Sequence, residues 1–294
     1  MKNIVKKTWF KVISVILVIF LISQVCIYVK FFKKMKPEIL SGDTAHTYRV
    51  YELDLTNDGK KIYGVAYVPD DIEGEIPTVI MSHGYGANAD TWKETAESFA
   101  MSGIACFAYD FCGGNDLGRS DGSMAEMSIM TEKEDLLHVI EQIKKEDFVD
   151  KSRLFLMGES QGGLVSAIAA AEVTDEIAGL ILYYPAFGIE AGAKEYASVD
   201  EIPEKIKLMR HTVGKIYYED MYDFDTYETI AGYTGRVLII HGTSDPIIDI
   251  SASEKAQEVY ENVTFIPLKG EQHGFSAKGE LKAAHIVYDF LQAI

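Results

Sequence analysis

From residue 48 onward the chain alternates two kinds of pattern. Short, nearly continuous apolar runs occur at Thr78–Met81, Ile104–Tyr109, Leu154–Met157, Leu180–Tyr184, Val237–Ile240 and Val263–Ile266. Runs of this length suit strands covered on both faces, as a parallel sheet requires. Stretches with helical periodicity separate them, over Thr91–Met101, Thr131–Lys145, Gln161–Glu172, Ala252–Tyr260 and Glu280–Ala293. Upstream, Tyr48–Leu55 and Ile62–Val68 alternate in polarity and predict an antiparallel edge hairpin turning at Asn57-Asp58-Gly59. Eight strands with helices between them imply the α/β class: a mostly parallel sheet flanked by helices.

A different pattern fills the N-terminus. Val12 to Val29 carries no charge and is apolar save Ser14, Ser23 and Gln24. At 1.5 Å per residue it is about 27 Å long, close to the hydrocarbon thickness of a bilayer. Lys2, Lys6, Lys7 and Lys11 precede it, and Lys30, Lys33, Lys34 and Lys36 follow. No small-x-small cleavage site follows the apolar run, so an uncleaved single-span transmembrane helix is expected; secretion after signal cleavage is the alternative. Lysines balance across the segment and leave orientation open; an N-terminus-inside anchor with an extracytoplasmic enzyme is the preferred reading. Residues 1–36 would form the anchor and residues 37–294 a single catalytic domain.

The candidate chemistry begins at Gly158-Glu159-Ser160-Gln161-Gly162. The apolar run Leu154–Met157 precedes it and a small-residue helical run follows. Strand, Gly-x-Ser-x-Gly turn and helix make a nucleophile elbow, which lifts the serine out of the sheet above a helix N-terminus. Gly118-Arg119-Ser120-Asp121-Gly122 fits the same spacing but has no strand before it, and reads as a polar loop.

A serine hydroxyl needs a base, and the base needs an acid to orient it. Asp245 follows the apolar run Val237–Ile240 in His241-Gly242-Thr243-Ser244-Asp245. His273 follows Val263–Ile266 in Gln272-His273-Gly274-Phe275. The chain order serine, acid, histidine is the one an elbow enzyme uses. Asp249 is the rival acid, and capping the next helix is its ordinary explanation. Of the other histidines, His138 and His285 fall in helical patterns, and His83 and His241 read as loop anchors. The turn Ser82-His83-Gly84-Tyr85-Gly86 after Thr78–Met81 would supply the Tyr85 N–H to an oxyanion hole, and the Gln161 N–H would be its second donor.

This motif set resembles the α/β-hydrolase superfamily. It is most similar to bacterial serine carboxylesterases of the cinnamoyl/feruloyl esterase and monoacylglycerol-lipase-like type, over roughly residues 48 to 294. Position 159 is Glu, where such esterases frequently carry His. Residues 186–235 match none of its motifs; they would form a helical cap over the site. The resemblance implies two-step ester hydrolysis through an acyl-enzyme. A serine peptidase, thioesterase or acyltransferase on the same site is the alternative, and a non-catalytic binding member of the fold the less favoured one.

Charge and composition refine this picture. The chain nets −17, and eight lysines with no acid in the first 36 residues leave −25 on the rest. A nucleic-acid partner is not expected, since its phosphates would be repelled. Cys26, Cys106 and Cys112 have no zinc-type spacing, and phosphate-loop and dinucleotide motifs are absent, so neither cofactor nor metal is expected. The 186–235 segment is rich in aromatics, among them Phe187, Tyr196, Tyr217, Tyr218, Tyr222, Phe224, Tyr227 and Tyr233. Some would pack the cap and others would line a pocket for an apolar or aromatic acyl group.

Overall fold

The computed structural model describes residues 34–42 and 44–293. The expected membrane segment Val12–Val29 lies outside the described residues, as does Cys26. Among the described residues no helix is long and apolar enough to cross a membrane.

Eight strands form one sheet: β1 (Tyr48–Glu52), β2 (Gly64–Pro69), β3 (Ile76–Ser82), β4 (Ala105–Tyr109), β5 (Val149–Glu159), β6 (Gly179–Tyr183), β7 (Arg236–Gly242) and β8 (Val263–Leu268). Their order is β1-β2-β4-β3-β5-β6-β7-β8. β2 runs antiparallel to both its neighbours, and β4 through β8 are parallel. Five helices pack on the sheet: α1 (Lys93–Met101), α2 (Ile129–Ile143), α3 (Ser160–Glu172), α4 (Ser251–Val259) and α5 (Ala277–Gln292).

The parity of the strand residues decides which core each joins. Ile80, Leu154, Leu156, Leu180, Leu182 and Ile239 face α2, α3 and α4, where Leu136, Ile140, Leu164, Ile168 and Ala256 meet them. Val79, Met81, Phe155, Met157, Ile181 and Ile240 face the other way, toward Phe99 of α1 and Val287 and Leu291 of α5. Each large side chain so buried contributes roughly 1.5–3 kcal/mol. Ser128 and Thr131 close a capping box at the start of α2. Met35 and Leu40 are buried, and the backbone of Glu38 and Leu40 bonds Ser98 and Ser102 along α1. The packed body therefore includes residues ahead of Pro37.

Two elements differ from the sequence expectation. The edge hairpin is split: β1 ends at Glu52, and a separate ladder pairs Leu55–Asn57 with Lys60–Ile62 around Asp58-Gly59, both with positive φ. β2 then starts at Gly64, where a Cβ would lie 2.1 Å from the Phe107 ring. The segment between β6 and β7 is mixed rather than helical. It holds helices Glu190–Ala193, Ile216–Glu219 and Thr226–Ile230, and an antiparallel ladder of Lys205–Leu208 with His211–Gly214. Ile206, Val213 and Tyr217 of this cap pack on Met124 and Met127 of the β4–α2 connection. Cys106 and Cys112 are free and buried.

β3 lies between β4 and β5, so successive crossovers leave it in opposite directions. The crevice beyond the carboxyl ends of β3 and β5 is where an open α/β sheet accepts a ligand.

Candidate active site

Ser160 sits at that crevice, directly after β5 and first in α3. Its φ is +50°, a left-handed conformation that costs an ordinary residue about 1–3 kcal/mol. Glycines on either side make the sharp turn possible. A Cβ on Gly158 would lie 2.2 Å from the Gly162 carbonyl oxygen, and one on Gly162 would lie 2.3 Å from that of His83. Strand, helix and the loop after β3 thus converge with no room for a side chain.

The loops after β7 and β8 bring two more groups to the serine. His273 Nε2 is 3.0 Å from Ser160 Oγ, and His273 Nδ1 is 2.8 Å from Asp245 Oδ2. Asp245 is buried, and its Oδ1 accepts from the N–H groups of Ile247 and Ile248 at 2.8 and 3.0 Å. Burial opposes its ionisation, but hydrogen bonds from His241, His273 and these two amides outweigh it and hold the carboxyl well below the usual range. The Tyr184 ring lies 4.6 Å from the His273 imidazole, centre to centre. Glu271 accepts from the N–H and hydroxyl of Ser276, which fixes the turn carrying His273 to the start of α5.

Asp245 also meets a histidine that the sequence reading assigned to loop anchoring. His241 Nε2 lies 3.1 Å from the Ile248 carbonyl and 3.2 Å from Asp245 Oδ2, and its Nδ1 is 2.7 Å from Ser253 Oγ. It anchors the loop and shares the acid. Asp249 points elsewhere, accepting from the Ser251 N–H at the start of α4. The serine of the second Gly-x-Ser-x-Gly, Ser120, bonds the backbone of Tyr63 and Asp110 and takes no part in the cluster. His46, His211 and His285 pair with Asp71, Asp116 and Glu38 away from the serine.

The loop after β3 lies against the elbow. A Cβ on Gly84 would be 3.2 Å from Ser160 Cβ, and the Gly84 N–H donates to Glu159 Oε1 at 3.3 Å. His83 anchors this loop: its Nδ1 donates to the Gly84 carbonyl, and its Nε2 accepts from the Phe111 N–H. Burial lowers its affinity for a second proton. Asn115 bonds the carbonyls of Gly86 and Ala87 at 2.7 and 3.1 Å. Gln161 stands in the first turn of α3, whose backbone N–H groups have no intrahelical acceptor. Its buried side chain donates to Glu132 Oε2 at 2.8 Å and accepts from Tyr217 of the cap at 2.7 Å. Burial pushes the Glu132 carboxyl up to about 8.

Glu132, Asn115 and Tyr217 were not foreseen as partners of the site. Each supports it from a distant point in the chain, with no motif around it. Among the described residues no group of histidine, cysteine or acidic side chains has the arrangement of a metal centre.

The profile of the family described as serine aminopeptidase, S33, matches residues 75–226, more than half of the chain. The chain belongs to that family. It is 25% identical over 232 residues to feruloyl esterase B of Thermothelomyces thermophilus, covering 72% of this chain and 74% of that one. It is 21% identical over 267 residues to mouse monoacylglycerol lipase ABHD6, covering 75% and 77%. Among solved structures, Est1E of Butyrivibrio proteoclasticus with bound ferulic acid superposes with a TM-score of 0.75 at 24% identity, over 82% of this chain and 98% of that one. The fold is that of the α/β-hydrolases.

Proposed function

We propose that the protein is a carboxylic ester hydrolase that works through a Ser160–His273–Asp245 triad and an acyl-enzyme. The observation that carries this reading is the unbroken line of hydrogen bonds from Ser160 Oγ through both nitrogens of His273 to Asp245. Likeness to relatives named as a feruloyl esterase and a monoacylglycerol lipase supports the ester as substrate.

In this mechanism His273 Nε2 takes the Ser160 proton as Oγ attacks the ester carbonyl. Asp245 fixes the tautomer with the Nδ1 proton facing it and stabilises the imidazolium that forms. The N–H groups of Tyr85 and Gln161 receive the tetrahedral oxyanion. His273 then protonates the departing alcohol and later activates the water that releases the acid. The acyl group is apolar or aromatic in this reading.

Ser160→Ala is expected to lower kcat on a p-nitrophenyl ester by roughly 10⁴–10⁶ while the circular dichroism spectrum stays that of the native protein. Near wild-type turnover by that variant would end the reading. A peptide substrate is the second reading, favoured by the family description; matched ester and amide substrates separate the two. The proposal includes an uncleaved anchor over residues 12–29 with the enzyme outside the cytoplasm. Recovery of the full chain from a soluble periplasmic or culture fraction would argue against it.

A further inference from the structure

Among the described residues, Asp58, Ser160, Tyr184 and Met209 are the residues other than glycine with positive φ. Asp58 and Met209 turn two-stranded ladders, and Ser160 is the elbow itself. Tyr184 has no such explanation. It follows β6 directly, is 4% exposed and has a φ of +36°. A bulky aromatic residue is strained in that conformation, so its surroundings must hold it there.

Those surroundings all belong to the site. The Tyr184 N–H donates to the Ile240 carbonyl of β7, the strand that leads to Asp245, at 2.9 Å. The Ala186 N–H donates to the Ser160 carbonyl, also at 2.9 Å. The Tyr184 ring meets Phe275 edge-on at 4.8 Å and the His273 imidazole at 4.6 Å, tilted by 53°. Its hydroxyl donates to Glu159 Oε2 at 2.8 Å. Burial and the Glu159 charge push that hydroxyl well above the usual phenol range, so it remains a donor. The other oxygen of Glu159, Oε1, accepts from the N–H of Gly84, the neighbour of Tyr85, at 3.3 Å. Burial raises the Glu159 carboxyl, and the bonds from Tyr184 and Gly84 act against that rise. One side chain therefore ties the loop after β3 to the ring that backs His273.

We propose that Glu159 and Tyr184 are positioning residues that hold the oxyanion donor and the His273 ring in one frame. By fixing Gly84, Glu159 keeps the Tyr85 N–H aimed at the tetrahedral oxygen. The Tyr184 ring sets the tilt of the imidazole and attracts the positive charge that His273 acquires during attack. A phenol that donates to a carboxylate has a more electron-rich ring, so the bond to Glu159 strengthens that attraction. This role rests on the triad reading and deepens it.

Steady-state kinetics of the full chain on p-nitrophenyl acetate tests the bridge. Tyr184→Phe keeps the ring and removes the bond to Glu159. Glu159→Gln keeps the size of the side chain, but an amide has one oxygen and cannot accept from both donors. Each variant should lower kcat about tenfold with KM within about twofold of the wild type. The double variant should be no slower than the slower single one, because either change breaks the same bridge. The Ki of a trifluoromethyl ketone, which forms a tetrahedral oxyanion on the serine, should rise by the factor by which kcat/KM falls. A loss of folded protein alone would lower kcat and leave that Ki unchanged. If Glu159→Gln does not fold, Tyr184→Phe decides through kcat and Ki. A kcat within about twofold of the wild type in either folded variant, additive losses in the double variant, or an unchanged Ki overturns the proposal. Fluorophosphonate labelling separates the two readings. A wild type that is not labelled ends the triad reading and this role with it. Full labelling of wild type and variants, with kcat unchanged, ends the positioning role alone.

Discussion

Asp245 and Glu132 are both buried carboxyls, yet their surroundings drive them in opposite directions. Asp245 receives two histidines and two backbone N–H groups, and remains ionised. Its folded value is depressed, so the stability it contributes is present above the ordinary carboxylate range and is lost as pH falls through the lower folded value. Asp245→Asn should cut kcat by ~10⁴, because the amide favours the wrong His273 tautomer. It should also flatten the acid limb of a melting-temperature profile. Glu132 accepts from the Gln161 amide, but its burial outweighs that bond and pushes it up to about 8. Its stabilising form is the protonated one, fully present below the ordinary glutamate value and lost as pH rises toward 8. Glu132→Gln should therefore match the wild type below pH ~4.5 and melt several degrees higher near pH 9. Thermal melts across that range read the difference directly. At this scale the juxtaposition of Ser160, Asp245 and His273 was legible in the sequence, because an elbow motif and chain order mark them. Glu132 was not legible in its present role, and of His241 the loop anchoring was legible but the contact with Asp245 was not. What defines them is a neighbour brought close by folding, and nothing adjacent in the chain announces it.

The inner parallel strands advertise themselves because both their faces are buried, and their apolar runs have no competing explanation. The eight-stranded sheet and its five helices follow from those runs. Alternating segments were harder to place. Tyr48–Leu55 alternates, but the chain leaves the sheet at Glu52 and pairs locally before β2 begins. In the cap, Lys205-Ile206-Lys207-Leu208 alternates over only four residues, too few to stand out from its surroundings. The elbow is specified sterically at two glycines, both against backbone. On Gly162 a methyl group would press on the backbone carbonyls of Ser82, the last residue of β3, and of His83, the residue after it, which cannot move as a side chain can. Gly162→Ala should destabilise the fold by roughly 1–3 kcal/mol or more. It should also lower activity beyond that loss, because Ser160 and the loop after β3 are pushed apart together. Comparing kcat with the fraction folded by denaturant titration separates the two effects.

The segment inserted between β6 and β7 is joined to the elbow and to the loop after β3. Tyr217 donates to the Gln161 side chain at 2.7 Å, and Tyr85 donates to the Leu208 carbonyl at 3.3 Å. The His211 ring meets Tyr85 edge-on at 5.7 Å, and Tyr217 meets it at 5.9 Å. Both residues whose N–H groups are proposed to hold the oxyanion are thus gripped by one inserted segment. A cap that served only as an acyl pocket would affect large acyl groups and leave small ones alone. A cap that positions Tyr85 and Gln161 affects every ester, since the oxyanion is common to all. Tyr217→Phe distinguishes these roles. It removes one hydroxyl, keeps the ring and leaves Gln161 Oε1 unmatched, at about 1–3 kcal/mol. Passed in part to the transition state, that cost should lower kcat about tenfold, equally for p-nitrophenyl acetate and a p-nitrophenyl aryl ester. Loss confined to the aryl ester, with the acetate unchanged, would reduce the cap to a pocket wall.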